Sequence, residues 1–173
     1  MKKNIFYLSI LLFFIFIFSI FYIGLDKPNF YKPTEVRNKN LEEFTSTGLF
    51  SNKQFNSKDI IENNNFTLIN IWASWCIPCR SEHSMLMSLS KKTDLNIIGL
   101  NYKDKKNNAV KFLDELGDPF SQNLIDPDGI ISISLGAYGV PESILLNNKS
   151  RVIRKYIGPL TSDNISEIIK IIQ

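Results

Sequence analysis

The stretch "NIWASWCIPCRSE", Asn70 to Glu82, holds both cysteines of the chain. Cys76 and Cys79 are separated by Ile77 and Pro78 and preceded by Trp75. Two thiols at this spacing serve as a structural cross-link, as metal ligands or as a reversible redox couple. A cross-link over two intervening residues closes almost no loop, so it constrains the unfolded chain little. A structural zinc site takes four ligands, often two such pairs, whereas this chain has one pair and one histidine. His83, four residues past Cys79, allows at most a three-ligand set with Cys76 and Cys79 for a soft metal such as copper. On its own, His83 reads as a solvated helix residue. Haem attachment requires C-x-x-C-H, and here Arg80 follows Cys79. The redox couple is the reading these residues favour.

That chemistry needs a helix start beneath the pair. The first turn of a helix has unpartnered backbone N–H groups and the positive end of the helix dipole. Both favour thiolate, the attacking species, so Cys76 is the expected nucleophile. Cys79 lies three residues on, on the same helical face, and is placed to close the disulfide or resolve a mixed one. Pro78 is tolerated in a first turn, where a missing N–H costs little.

The flanking pattern supplies the supporting elements. Phe66–Trp72, "FTLINIW", is a run of β-branched and aromatic residues that predicts a buried strand, with Trp72 in the core. A helix is predicted over 76–92, with Met85, Leu86 and Leu89 at helical spacing, then a strand over 95–100. An amphipathic helix follows over 105–116, stopped by Gly117, Asp118 and Pro119. Residues 126–129, "DPDG", form a turn, and 143–146 pairs with 152–157 as a hairpin. Thr161 caps a last helix bearing Ile165, Ile168, Ile169 and Ile172. Upstream, 44–50 is a candidate edge strand and Ser57 a candidate N-cap for a helix ending near Ile61. Alternating strands and helices followed by a hairpin predict an α/β fold: a parallel core extended by antiparallel strands, with helices on both faces.

The 173-residue chain suits one domain with an attachment, and 44% hydrophobic content supports a real core. Residues 5–25 contain no charge, long enough as a helix to span the roughly 30 Å hydrocarbon core of a bilayer. Lys2 and Lys3 precede this run and favour a cytoplasmic N-terminus over residues 1–4. A cleaved signal usually has an apolar region of about 7–15 residues ending in a small-residue site. This run is longer and lacks that site, so an uncleaved anchor is favoured. Residues 26–43, with two prolines and no periodicity over most of their length, read as a tether, and 44–173 as the exported domain. Removing Lys2 and Lys3 from the 20 basic residues leaves 18 against 17 acidic ones, with no basic stripe suited to nucleic acid.

Five segments carry a resemblance. "WASWCIPCRSE" resembles the active site of membrane-anchored thioredoxin-like proteins. "GLNYKD" (99–104), "LIDPDG" (124–129) and "GAYGVPESILLN" (136–147) are similar to the DsbE/CcmG family of cytochrome c maturation. "YIGPL" (156–160) is similar to the closing strand and turn of that family. The resemblance implies a thioredoxin-like fold, a mixed sheet flanked by helices with an extra strand and helix inserted centrally. It implies a single-pass bacterial inner-membrane protein with its catalytic domain in the periplasm. A monomer is the default expectation, and no cofactor or metal is expected. It also implies a reductase whose client is apocytochrome c or a cytochrome c assembly factor, with electrons from a membrane thiol reductase of the DsbD/CcdA type. A general periplasmic disulfide oxidoreductase is the alternative with the same chemistry. Residue by residue, Cys76 matches the nucleophile, Cys79 the resolving cysteine, and Trp75 the tryptophan bordering the site. Pro141 matches the cis-proline facing the cysteines, leaving the Val140 backbone open to an extended client. Ile77 and Pro78, between the sulfurs, are expected to influence the reduction potential. Glu82 and Glu142 match the family's acids. Glu142, if partly buried beside the sulfurs, is the expected proton carrier, and Glu82 the acid near them on the helix. The chain departs from the family at Ser143, where threonine is common, and at Arg154-Lys155-Tyr156, where the last strand lacks a histidine.

Overall fold

The computed structural model describes the backbone of residues 2–25 and 39–173, and side chains over 4–22 and 39–173. Most of the expected tether, residues 26–38, lies outside the described residues. Helix α1 (Lys2–Leu25) forms one unit by itself. Its segment Asn4–Tyr22 has a mean hydropathy of 2.6 and no buried side chains, and it is long and apolar enough to cross a membrane. A signal sequence near an N-terminus shares those properties.

The second unit is built on a seven-stranded sheet. Its strands are β1 (Thr45–Gly48), β2 (Gln54–Asn56), β3 (Phe66–Trp72), β4 (Asn96–Tyr102), β5 (Gln122–Asp126), β6 (Glu142–Asn147) and β7 (Val152–Ile157). Their spatial order is β2-β1-β5-β4-β3-β6-β7. β3 and β5 run parallel to β4, and every other pairing is antiparallel. β3 is central because nearly all of "FTLINIW" is buried on both faces, the composition of an interior strand. The mixed sheet with helices on both faces is the fold the sequence pattern and the resemblance imply.

The helices are α2 (Ser57–Glu62), α3 (Ile77–Lys92), α4 (Lys106–Leu116), α5 (Ile130–Ser134) and α6 (Ser162–Ile172). Side chains alternate across a strand, so the sheet has two distinct cores. One joins Leu68, Trp72, Ile97 and Leu145 to Leu86 and Leu89 of α3, Phe112 and Leu113 of α4, and Ile168 of α6. The other joins Ile69, Ile71, Ile98, Leu100, Ile144 and Leu146 to Ile61 of α2 and Leu135 beside α5. The pair α4–β5 sits between β4 and the closing α5–β6–β7–α6 segment, in the place of the expected insertion.

Three short elements are additional to those predicted from sequence: β2, β5 and α5. The predicted edge strand over 44–50 narrows to β1, which pairs with β2 and β5. The cap of α2 is Asn56, whose Oδ1 accepts from Lys58 N at 2.7 Å. Ser57 instead begins that helix, and its hydroxyl accepts from Phe44 N at 2.9 Å. The packed unit also starts earlier than residue 44. Val152 N donates to Lys39 O and Leu41 N to Ser150 O, and Asn40 bridges Arg151.

Candidate active site

Cys76 and Cys79 stand at the C-terminal end of β3, joined as a disulfide, with relative exposures of 4% and 2%. The helix starts one residue later than predicted: Cys76 is its N-cap, not part of its first turn. Its extended backbone lets Sγ take the place of a capping oxygen, accepting from Cys79 N at 3.1 Å. Pro78 falls at the second helical position, where no intrahelical donor is needed. An N–H aimed at Sγ, added to the helix dipole, favours the thiolate once the pair is reduced. Ile77 is 81% exposed and Trp75 57%, so apolar surface flanks the covered sulfurs.

The segment carrying the pair is clamped by Asp104, a residue absent from the predicted site. Asp104 accepts from Ser74 N at 2.6 Å and Ser74 Oγ at 2.9 Å, and also from Asn101 Nδ2 and Lys105 N. Next to it, Trp75 Nε1 donates to Lys103 O at 3.1 Å. The β4–α4 loop therefore sets the path of the chain into Cys76. Its signal in the sequence is the "NYKD" segment, which carries a family resemblance but no local pattern that reveals a mechanical role.

Glu82 is 1% exposed on α3, three residues past Cys79. Its Oε1 accepts from Asn70 Nδ2 at 2.9 Å and its Oε2 from Leu160 N at 2.6 Å. Asn70 also donates to Ser143 Oγ at 3.0 Å. Burial pushes the Glu82 carboxyl above the ordinary carboxylate range; the two N–H donors oppose this without cancelling it.

Glu142 differs from its expected position. In the register Ile71↔Glu142 and Asn70↔Ser143, Ser143 shares the α3 face with Asn70 and Glu82. Glu142 shares the opposite face with Ile71 and Ile144. It is buried, but not beside the sulfurs: it is turned away from the helix that carries the cysteines. Oε1 accepts from Tyr138 N at 2.6 Å and Gly139 N at 3.1 Å, and Oε2 lies 2.9 Å from Lys155 Nζ. These contacts describe an anchor for the chain entering β6, not a proton carrier beside sulfur. The Val140–Pro141 bond is cis. Val140 is partly buried against the cluster containing Cys76, Cys79 and Trp72, so the loop and the disulfide are brought together.

His83 is a second correction. It is 4% exposed, not solvated. Nε2 lies 2.8 Å from Gly117 O, and the ring packs edge-on against Phe112 with centroids 5.1 Å apart. Burial lowers its pKa below the ordinary histidine value, outweighing the Gly117 carbonyl and Asp118, which raise it. Among the described residues no group of three His, Cys, Asp or Glu side chains is arranged to hold a metal ion. His83 thus fastens α3 to α4, and the three-ligand set with the cysteines is not assembled. Trp72 is core as expected, stacked on Phe120 (5.7 Å) and tilted against Phe112 (5.0 Å). Gly99 admits this packing, since a Cβ there would lie 2.7 Å from the Phe120 ring.

Comparison with known proteins agrees with this geometry. The sequence profile of the Redoxin family matches residues 37–172. The thiol:disulfide interchange protein DsbE of Escherichia coli K12 is 35% identical over 132 residues, covering 76% of this chain and 71% of its own length. CycY of Rhizobium leguminosarum bv. viciae, also a thiol:disulfide interchange protein, is 46% identical over 101 residues, 58% of this chain and 54% of its own. Among solved structures, a DsbF homologue from Corynebacterium diphtheriae superposes with a TM-score of 0.68 at 24% identity, covering 83% of this chain and 95% of its own. A secreted Mycobacterium tuberculosis disulfide oxidoreductase homologous to E. coli DsbE does so at 0.63 and 18% identity, covering 75% and 93%. These two likenesses concern the fold.

Proposed function

The chain belongs to the Redoxin family, among thiol:disulfide interchange proteins of the DsbE type, and we propose that it is the membrane-anchored periplasmic reductant of c-type cytochrome maturation. The observation that carries the chemistry is the Cys76–Cys79 pair at the N-cap of α3, closed as a disulfide and facing the Val140–Pro141 loop. The resemblance of the four motif segments to the DsbE/CcmG family supports the cytochrome role. The apolar Asn4–Tyr22 helix supports the anchor.

In the reducing direction the Cys76 thiolate attacks one sulfur of a client disulfide. A Cys76–client disulfide forms, and the second client sulfur leaves as thiolate and takes up a proton. Cys79 then loses its proton and attacks Cys76, which forms the protein disulfide and expels the first client sulfur. Two electrons have passed to the client, and a membrane thiol reductase of the DsbD/CcdA type restores the dithiol. Glu82 is the group suited to receive the Cys79 proton: a buried carboxyl of raised pKa on the same side of α3. Trp75 and Ile77 supply apolar contact to the client, and the Val140 backbone supplies main-chain bonds. Among the described residues Val140 N–H and C=O make no hydrogen bond of their own.

The test is a trap. In Cys79→Ala the mixed disulfide on Cys76 cannot resolve, so its partner is isolated from cells and identified by mass spectrometry. Apocytochrome c or a cytochrome c assembly factor is the expected catch. A broad set of exported proteins would make the chain a general disulfide oxidoreductase. A reduction potential near that of thioredoxin, about −270 mV, fits a reductant, whereas one near about −120 mV would reverse the direction of electron flow.

A further inference from the structure

The loop over residues 136–141 must present the Val140 backbone to a client, yet it has few partners in the sheet ladder. Three of its backbone polar groups are met by a buried ion pair. Lys155 on β7 and Glu142 on β6 have side-chain exposures of 8% and 2%, with Nζ and Oε2 2.9 Å apart. Lys155 Nζ donates to Gly136 O at 2.5 Å, where the loop leaves α5. It also lies 5.0 Å from the centroid of the Tyr138 ring. Glu142 Oε1 takes the N–H groups of Tyr138 and Gly139. At the far end Gly158 N donates to Pro141 O at 3.0 Å. Two charged side chains thus hold a carbonyl, two amides and an aromatic ring of one six-residue loop.

Such a pair is a poor source of net stability, because desolvating both charges offsets most of their attraction. Apolar residues of equal volume would fill the space at less cost, but they would leave the Gly136 carbonyl and two amides unmet. The charges are therefore matched to the backbone of the loop. We infer that Lys155, acting through Glu142 and Gly136, is a positioning residue for client docking, fixing the wall of the site that Tyr138 and Val140 present. Lys155 touches neither sulfur nor client. Its effect falls on extended clients that use the loop, and far less on small disulfides that need only the sulfurs. The inference rests on the thiol–disulfide exchange of the pair and holds whichever client the Cys79→Ala trap returns.

The experiment uses the full chain, reduced, in detergent micelles. It compares the second-order rate constant for single-turnover reduction of a synthetic peptide carrying a Cys-x-x-Cys-His disulfide with that for glutathione disulfide. In Lys155→Met the ratio of the two falls about tenfold, chiefly through a higher half-saturating concentration of the peptide, as expected on losing a charged hydrogen-bond donor. Lys155→Arg, which retains the donor and charge, restores most of it. Should Lys155→Met not fold, the double variant Glu142→Gln/Lys155→Met leaves no uncompensated charge and shows the same fall. A ratio that stays at the wild-type value in the folded variant, or a fall that Lys155→Arg fails to reverse, overturns the inference.

Discussion

Glu82 and Glu142 are both 1% exposed, yet they lie on opposite faces of the sheet and have different surroundings. Among the described residues no cation lies against Glu82; an asparagine amide and the Leu160 N–H hold its oxygens, and burial raises its pKa. Glu142 is paired with Lys155 and fastened to two backbone amides. A buried carboxyl held only by neutral donors can exist in either protonation state, which suits proton transfer. A buried acid with an ammonium 2.9 Å from one oxygen and two backbone amides on the other is suited to holding a loop. Residue type and depth are shared, and the counter-charge decides the role.

The largest expected effect comes from removing that counter-charge. Lys155→Met leaves Glu142 buried without its cation and costs about 3–5 kcal/mol of stability, read from urea unfolding of the full chain. A loss below about 1 kcal/mol would erase the contrast between the two acids. Next, Glu82→Gln keeps the shape and removes the titrating group. The exchange rate at neutral pH falls about 100-fold, the scale of a lost general acid–base, as stopped-flow fluorescence of Trp75 would report. Glu142→Gln has a much smaller effect on the same rate when small disulfides are the oxidant.

The pH dependence of stability sharpens the contrast. The folded-state pKa of Glu82 lies above its unfolded value of 4.5. Above 4.5 the folded state therefore holds more proton than the unfolded, and stability falls as pH rises from 4.5 through the folded value. Glu82→Gln removes that slope, which unfolding free energies at a series of pH values reveal as a difference from wild type. His83 has the opposite sign. Its folded pKa lies below 6.5, so its contribution is complete above pH 6.5 and is lost as pH falls through the lower folded value. In His83→Phe the wild-type loss over that interval disappears. The smallest effect is at Arg80 and Glu115, whose side chains are 44% and 54% exposed. Arg80→Ala changes stability by less than about 1 kcal/mol in thermal unfolding, since an exposed pair is well solvated when broken.

Much of this molecule follows from short-range pattern. The Cys76–Cys79 spacing, the apolar run of Phe66–Trp72, the periodicity of α4 and the Thr161 cap of α6 are local signals. The forces behind them (dihedral preference, capping and one-face burial) act within a turn or a strand. Elements lacking such signals are not legible in this way. β2 has three residues, paired with β1, and β5 five, paired along its whole length with β4 and at Leu124 and Ile125 with β1; each exists because another strand supplies its ladder partner. The site divides in the same way. The nucleophile, its resolving partner and the helix start are written in consecutive residues, so their chemistry is legible in the sequence itself. The face on which Glu142 falls depends on the register of β6 against β3, and a one-residue shift would exchange it with Ser143. Pairing Lys155 with Gly136, clamping Ser74 by Asp104 and burying His83 against Phe112 join residues 19, 30 and about 29 positions apart. Contacts at that range carry no local imprint. The sequence by itself determined which atoms exchange electrons; only the tertiary structure decided which charges are buried, which are paired, and which backbone they hold in place.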